Sequence, residues 1–250
     1  VKHNLNEAVC LVTGASRGLG AAVARRLAHR GAKVALLARD ERSLREISDQ
    51  ITESGGQAMI LPVDARDEAR VFEAAMEVMH QWGEISILIN AIGGKTEGPG
   101  DGPADVLQQM IDLNYYAPLN VARVVITHMR RLQHGHIVNV SSVLGLRGTP
   151  YRGAYSASKA ALVAMTDAIR VELKRDNINV SLVCPGRLKY ADQKGAERFA
   201  MTYERAAEII VNIAANPRPR TILTTSAKVL NLLSAVAPRT VDRILNRARP

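Results

Sequence analysis

An open, doubly wound α/β sheet is the fold class this sequence predicts, and three observations predict it. Short β-branched apolar runs recur, AVCLVTG (8–14), KVALLAR (33–39), QAMILPV (57–63), ISILINA (85–91), HIVNVSS (136–142) and NVSLVCPG (179–186), with a shorter RTILTT at 220–225. Each is nearly continuous in apolar residues, as expected of strands buried on both faces of a parallel sheet. Longer amphipathic stretches at 18–30, 41–54, 67–82, 104–131 and 154–175 alternate with them, which is the rhythm of parallel strands joined by crossover helices. No Pro/Ser-rich linker and no internal repeat divides the chain, so one domain is expected. It carries a mostly parallel sheet of six to seven strands with helices on both faces over residues 1–225, and a C-terminal tail at 226–250.

The first run leads into LVTGASRGLGAA, a turn between strand and helix with Gly14, Gly18 and Gly20. Glycines allow tight turning and close backbone approach, and the following helix offers free N–H groups to a pyrophosphate. A structural turn alone would also use such glycines, but the strand-turn-helix context favours a dinucleotide. The second run ends LLARD. Dinucleotide folds place there an acid for the ribose hydroxyls or a base for a 2′-phosphate. Ala38 stands at the acid position and Arg39 follows, with Arg17 within reach from the glycine loop. Two guanidinium groups fit NADP better than NAD; Asp40 is expected to start the next helix, with a contact to ribose as the alternative.

The fourth run opens into GGKTEGPGDGP (93–103), a loop by its glycines and prolines. The fifth ends in Ser141-Ser142, and the helix at 154–175 carries Tyr155 and Lys159 one turn apart on one face. The sixth run is followed by a small lid at 187–203, whose Arg187, Lys189, Lys194 and Arg198 make it basic. In the tail, Val229, Leu232, Leu233 and Val236 form one apolar stripe. Val241, Ile244, Leu245 and Ala248 form another, opposite Arg239, Arg243 and Arg247. Such a stripe is expected to pack on the domain or a partner subunit, with an anionic lipid surface as the alternative.

Composition narrows the function classes. The formal net charge of +9 favours an anionic partner, yet the 33 basic residues are dispersed and aromatics make up only 4%. A nucleic-acid arm or base-stacking platform is therefore excluded from the expectation. Cys10 and Cys184, the only cysteines, sit in apolar runs without metal-ligand spacing; a reducing, cytoplasmic setting and no metal are expected. The stretch VKHNLNEAV has no signal-peptide core, and no run of 18 apolar residues occurs.

The chain resembles the short-chain dehydrogenase/reductase family from about residue 7 to 215. The resemblance is carried in order by TGASRGLG (13–20), VDARD (63–67), NAIG (90–93), DLNYYAP (112–118), VNVSSVLG (138–145), YSASK (155–159) and CPG (184–186). It implies a Rossmann-type domain in which Tyr155 is the acid/base, Lys159 lowers its pKa, Ser142 polarises the carbonyl and Asn114 fixes a water in the proton relay. The implied cofactor contacts are Gly14, Ser16, Arg17, Gly18, Leu19, Gly20, Arg39, Asp64, Ala65, Asn90, Tyr155, Lys159, Pro185, Gly186 and Leu188. A phenol titrating near ~10 needs a nearby cation to exchange its proton at neutral pH, so the chemistry agrees with these roles.

Two positions depart from the family pattern. Ala91 replaces an amide in NAIG, and Tyr190 stands where a threonine often contacts the nicotinamide carboxamide. The expected activity is NADPH-dependent reduction of a ketone or 3-oxoacyl carbonyl beneath loops 93–103, 143–153 and 187–203, by a homodimer or homotetramer. A non-catalytic NADP-binding sensor and a peripheral membrane reductase of lipid-like carbonyls are the alternatives.

Overall fold

The computed structural model describes residues 2–190 and 200–247. Lys194, Arg198 and Ala248, and the side chain of Arg247, lie outside the described residues, as does most of the expected lid. Seven parallel strands form the sheet: β1 (Val9–Thr13), β2 (Lys33–Ala38), β3 (Gln57–Pro62), β4 (Ile87–Asn90), β5 (Gly135–Val140), β6 (Ile178–Cys184) and β9 (Arg220–Ile222), in the order β3-β2-β1-β4-β5-β6-β9. The short pair β7 (Leu188–Lys189) and β8 (Met201–Thr202) lies apart from it. The helices are α1 (Gly18–His29), α2 (Glu41–Glu53), α3 (Glu68–Trp82), α4 (Ala104–Ile111), α5 (Ala117–Leu132), α6 (Gly153–Glu172), α7 (Tyr203–Ala215), α8 (Thr225–Val236) and α9 (Pro238–Arg247).

Alternation along each strand distributes its side chains between two cores. Cys10 and Val12 of β1, with Val34 and Leu36 of β2, face α1, α2 and α7; Val9, Leu11, Ala35 and Leu37 face α3 and α5. This is why the runs read as continuously apolar: both faces are covered. The direction of winding reverses between β1 and β4, which opens a crevice at their carboxyl ends.

Buried polar groups tie the sheet together. His136 of β5 is fully buried, with Nδ1 3.0 Å from the Ala214 carbonyl and Nε2 2.9 Å from Ser181 Oγ. A carbonyl can only accept, so Nδ1 carries the proton and Nε2 accepts from the serine. Burial pushes the imidazole down to about 3, and His3 stacks on it at 5.3 Å between ring centroids.

Two expected helices are refined. The stretch 104–131 is interrupted by a π-helical turn, Asp112–Tyr116, and α6 ends in a 3-10 turn, Leu173–Asp176. The tail divides at Ala237: Val241 of α9 is buried, whereas Val229, Leu232 and Val236 of α8 stay exposed. Among the described residues, α8 buries Ala227 and half-buries Leu230, Asn231, Leu233 and Ser234. None of the helices described is long and apolar enough to cross a membrane.

Candidate active site

The glycine turn fits its expected purpose sterically. Gly14 has φ +67°, and a Cβ there would lie 2.9 Å from the Ala91 carbonyl oxygen. A Cβ on Gly20 would lie 2.1 Å from the Gly14 carbonyl, so α1 can begin this close only with glycine. Arg17, exposed and extended, is the N-cap of α1 but gives no side-chain cap, and the first turn holds no acid. The amino end of α1 is thus left open to an outside anion, as a dinucleotide phosphate requires. Ser16 is half-buried in the same turn, whereas the Leu19 side chain belongs to the core, leaving its backbone for a ligand.

At the end of β2, Arg39 is exposed beyond Ala38. Asp40 is committed to α2, accepting from Ser43 N at 3.3 Å and from Ser43 Oγ at 2.7 Å. Asp64, after β3, is gripped by Arg66 through Nε at 3.1 Å and Nη2 at 2.6 Å, and this hydrogen bonding holds its carboxyl below the usual range. Ala65 is buried, and its carbonyl accepts from Asn120 Nδ2 at 3.1 Å. Asn90 is used by the sheet itself. It accepts from Thr13 Oγ1 at 3.2 Å and donates to Asn139 Oδ1 at 3.0 Å and to the Pro118 carbonyl at 3.1 Å.

Ser142, Tyr155, Lys159 and Asn114 come together at the carboxyl edge of the sheet. Ser142 follows β5 and caps the 3-10 turn Val143–Gly145, its Oγ accepting from Leu144 N at 3.1 Å. Tyr155 lies in the first turn of α6; burial pushes its phenol up, while a hydrogen bond with Ser142 and the charge of Arg152 pull it down. Lys159, one turn on, is 3% exposed and its Nζ donates to the Val140 carbonyl at 3.1 Å. Its ammonium is pushed down to about 8 by burial. The sequence assigned the downward pull on the phenol to Lys159. The Lys159 head, one turn along the same helix from the phenol, donates to the Val140 carbonyl.

Asn114 sits in the π turn, where one extra residue per turn re-aims a side chain. Its amide exchanges hydrogen bonds with Gly94, Oδ1 accepting from Gly94 N and Nδ2 donating to Gly94 O, both at 3.1 Å. Nδ2 also donates to Ser158 Oγ at 3.0 Å. A Cβ on Gly93 would stand 3.0 Å from Asn114 Oδ1 and 3.1 Å from Lys159 Nζ, so both polar heads border one small gap.

The profile of the family described as short chain dehydrogenase matches residues 8–199, a span that begins just before β1 and takes in Gly14, Asn114, Ser142, Tyr155 and Lys159. This chain belongs to the short-chain dehydrogenase/reductase family. It is 31% identical to an uncharacterized oxidoreductase, YxnA, of Bacillus subtilis, over 97% of this chain and 72% of that protein. It is also 31% identical to the ketoacyl reductase HetN of Nostoc, over 94% of this chain and 86% of that protein. A crystal structure of NAD+-bound xylitol dehydrogenase, 24% identical, superposes with a TM-score of 0.81 over 89% of this chain and 99% of that one, which establishes the fold. The short-chain dehydrogenase/reductase is thus an oxidoreductase of a family that works with a nicotinamide cofactor.

Beyond β6, this reductase-family chain builds features that sequence reasoning missed. Pro185 O accepts from Val143 N at 2.9 Å, and a Cβ on Gly186 would lie 2.3 Å from Thr224 Oγ1, so close packing alone accounts for that glycine. Leu188 pairs with Met201 in the β7–β8 ribbon. Tyr190, the departure from the family pattern, packs edge-on against Tyr203 with ring centroids 4.7 Å apart, and Tyr203 lies 3.6 Å from the Cβ position of Gly18. A cavity of about 340 Å³ lies between loops 93–103 and 143–153, and α9 supplies its third wall through Asp242, Leu245 and Asn246. Asp242 pairs there with Arg147. The apolar spacing of the tail signalled a packed helix, but no local pattern could have said that it packs over this cavity.

Proposed function

We propose that the protein reduces the carbonyl of a ketone or 3-oxoacyl compound to an alcohol with NADPH, and runs the reverse as an alcohol dehydrogenase. The observation that carries this reading is the convergence of buried Lys159 Nζ and Asn114 Oδ1 on the gap at Gly93, with Tyr155 one turn before Lys159 on α6 and Ser142 at the end of β5. When bound, the nicotinamide supplies the hydride that the carbonyl carbon accepts. Ser142 donates to the carbonyl oxygen and stabilises the negative charge that develops there. Tyr155 gives its proton to that oxygen; burial keeps the phenol protonated at neutral pH, as a donor in reduction must be. Lys159 holds positive charge behind the resulting phenolate. Asn114 Oδ1, facing Lys159 across the gap at Gly93, suits a relay water.

For the cofactor, Gly14, Gly18, Gly20 and the open amino end of α1 suit the diphosphate. Arg39 and Arg17 suit a 2′-phosphate. Asp40 spends one lone pair of each carboxylate oxygen on Ser43 as the cap of α2, which favours the two arginines at this end of β2. Asp64 and Ala65 stand at the adenine side, and Leu188 offers backbone to the nicotinamide end. A homodimer or homotetramer acting on a small carbonyl substrate completes the proposal. The exposed Val229, Leu232 and Val236 beside Lys228 favour one second reading, a reductase working at an anionic membrane surface.

NADPH consumption across a panel of neutral ketones, oxo acids and 3-oxoacyl thioesters tests the reading. Turnover lost in Tyr155→Phe with NADPH binding retained supports it. Binding without turnover of any carbonyl would instead mark a cofactor sensor. Liposome co-sedimentation that is unchanged on deleting residues 226–250 counts against the membrane reading.

A further inference from the structure

Tyr203 opens α7 and lies beyond the span 8–199 that the family profile matches. Its ring is fixed over the glycine turn. A Cβ on Gly18 would stand 3.6 Å from Cε1 and Cζ of Tyr203 and 3.8 Å from its hydroxyl oxygen, so the ring lies on the turn itself. Behind it, α7 is bound along α1: Ala206, Ala207 and Ile210 enter the core that α1 shares, and Glu208 pairs with Arg26 and, at 3.1 Å, with Arg30. In front of it, the parallel β7–β8 ribbon pairs Leu188 with Met201 and Lys189 with Thr202, and the next residues in that register are Tyr190 and Tyr203. Their rings meet edge to face, with centroids 4.7 Å apart and planes at 62°. Thr202 also caps α7, accepting from Arg205 N at 3.2 Å. The far end of the chain thereby holds a phenol against the first turn of the fold.

We propose that Tyr203 is a cofactor-binding residue whose hydroxyl donates to the diphosphate at the glycine turn, with Tyr190 a positioning residue that holds the ring there. The proposal rests on the reading of residues 14–20 as the dinucleotide cradle. Gly18 carries no side chain to stand between the ring and the turn, and its φ of +56° is one that glycine adopts freely. Tyr203 is half-buried, and a rigid ring presents its hydroxyl at little cost in conformational freedom. Burial pushes its phenol above the ordinary value, against the pull of the Arg17 charge, so at neutral pH the hydroxyl is a donor. The departure at Tyr190 gains a purpose: an aromatic ring at that position supports a hydroxyl that α7 supplies.

The test is calorimetric titration of the full chain with three ligands: NADPH; ADP-ribose 2′-phosphate, which lacks the nicotinamide; and adenosine 2′-phosphate, which lacks the diphosphate. Tyr203→Phe keeps the ring on Gly18 and removes only the hydroxyl. It is expected to bind the first two about tenfold more weakly, as when one hydrogen bond to a charged group is lost. Adenosine 2′-phosphate binding and the melting temperature stay at the wild-type values. Tyr190→Leu weakens NADPH binding on its own but adds little to Tyr203→Phe, and Tyr190→Phe, which keeps the ring, restores the wild-type affinity. Unchanged binding of all three ligands in Tyr203→Phe overturns the proposal, because packing alone then accounts for the ring. Equal weakening of all three, or a loss confined to NADPH, overturns it too, and full additivity overturns the part given to Tyr190. Wild type that binds NADPH no more tightly than adenosine 2′-phosphate overturns the reading of the glycine turn and the proposal with it. NADPH binding without turnover of any carbonyl overturns the proposed reaction alone, and the three titrations still decide the part played by Tyr203.

Discussion

Asn114 Oδ1 and Lys159 Nζ converge on one point, 3.0 and 3.1 Å from where a Cβ on Gly93 would stand. One comes from a π turn and the other from the second turn of α6, and only a glycine between them leaves the gap open. Gly93→Ala places a methyl between the two heads. The expected outcome is a loss of kcat of about tenfold or more, since small displacements of catalytic groups are costly, with melting temperature and NADPH affinity close to wild type. Stopped-flow turnover beside a thermal melt checks it.

The pH dependence of reduction follows from two opposed shifts. Tyr155 is pushed above its ordinary phenol value and so remains a proton donor at neutral pH. Lys159 is pushed below its ordinary 10.5, to about 8, so its ammonium is the first charge lost on the alkaline side. The reduction rate at saturating substrate is expected to be level near neutrality and to fall through a midpoint near 8. Lys159→Arg keeps a cation at all these pH values and is expected to remove that midpoint, at a lower absolute rate.

Stability in acid should be limited by His136. Its ordinary value is 6.5 and burial lowers it to about 3 in the folded chain. Between those values the unfolded chain binds a proton that the folded chain refuses, so stability falls as pH drops below 6.5 and levels off only near 3. One such group contributes a slope of up to about 1.4 kcal/mol per pH unit. Urea unfolding at several acid pH values should show this slope, and His136→Gln, which cannot titrate, should flatten it by about one proton.

Cofactor choice is expected to rest on Arg39. With Ala38 at the acid position and Asp40 used as a cap, Arg39→Ala should weaken NADPH binding by about tenfold, in line with one lost charge-assisted hydrogen bond at an exposed site. NADH binding should stay unchanged. Fluorescence titration with both dinucleotides checks the difference.

How far the sequence could be read varies with the kind of interaction. Strands such as β1 and β2 were legible because burial on both faces writes a continuous apolar run. Gly14 and Gly20 were legible because backbone approach of this closeness admits no other residue. The shared helix face of Tyr155 and Lys159 was legible because the two stand one helical turn apart. What stayed hidden depends on packing between distant segments. The π turn at Asn114 leaves no mark in residue type. The Arg152–Glu97 pair spans 55 positions, and Tyr203 meets Gly18 from the far end of the chain. The direction of the Lys159 head, toward Val140 O, is likewise set by burial rather than by its spacing from Tyr155. The exposed stripe on α8 has a helical period, yet period alone does not say what covers it.

We propose Tyr155 as the proton donor in an NADPH-dependent carbonyl reduction. The most direct measurement is NADPH consumption over a carbonyl panel by wild type and Tyr155→Phe, with NADPH binding measured on both. Wild type is expected to turn over at least one carbonyl, and Tyr155→Phe to lose about a hundredfold or more with cofactor affinity within about twofold. Equal turnover by the two proteins, or no turnover by wild type that nonetheless binds NADPH, would contradict it.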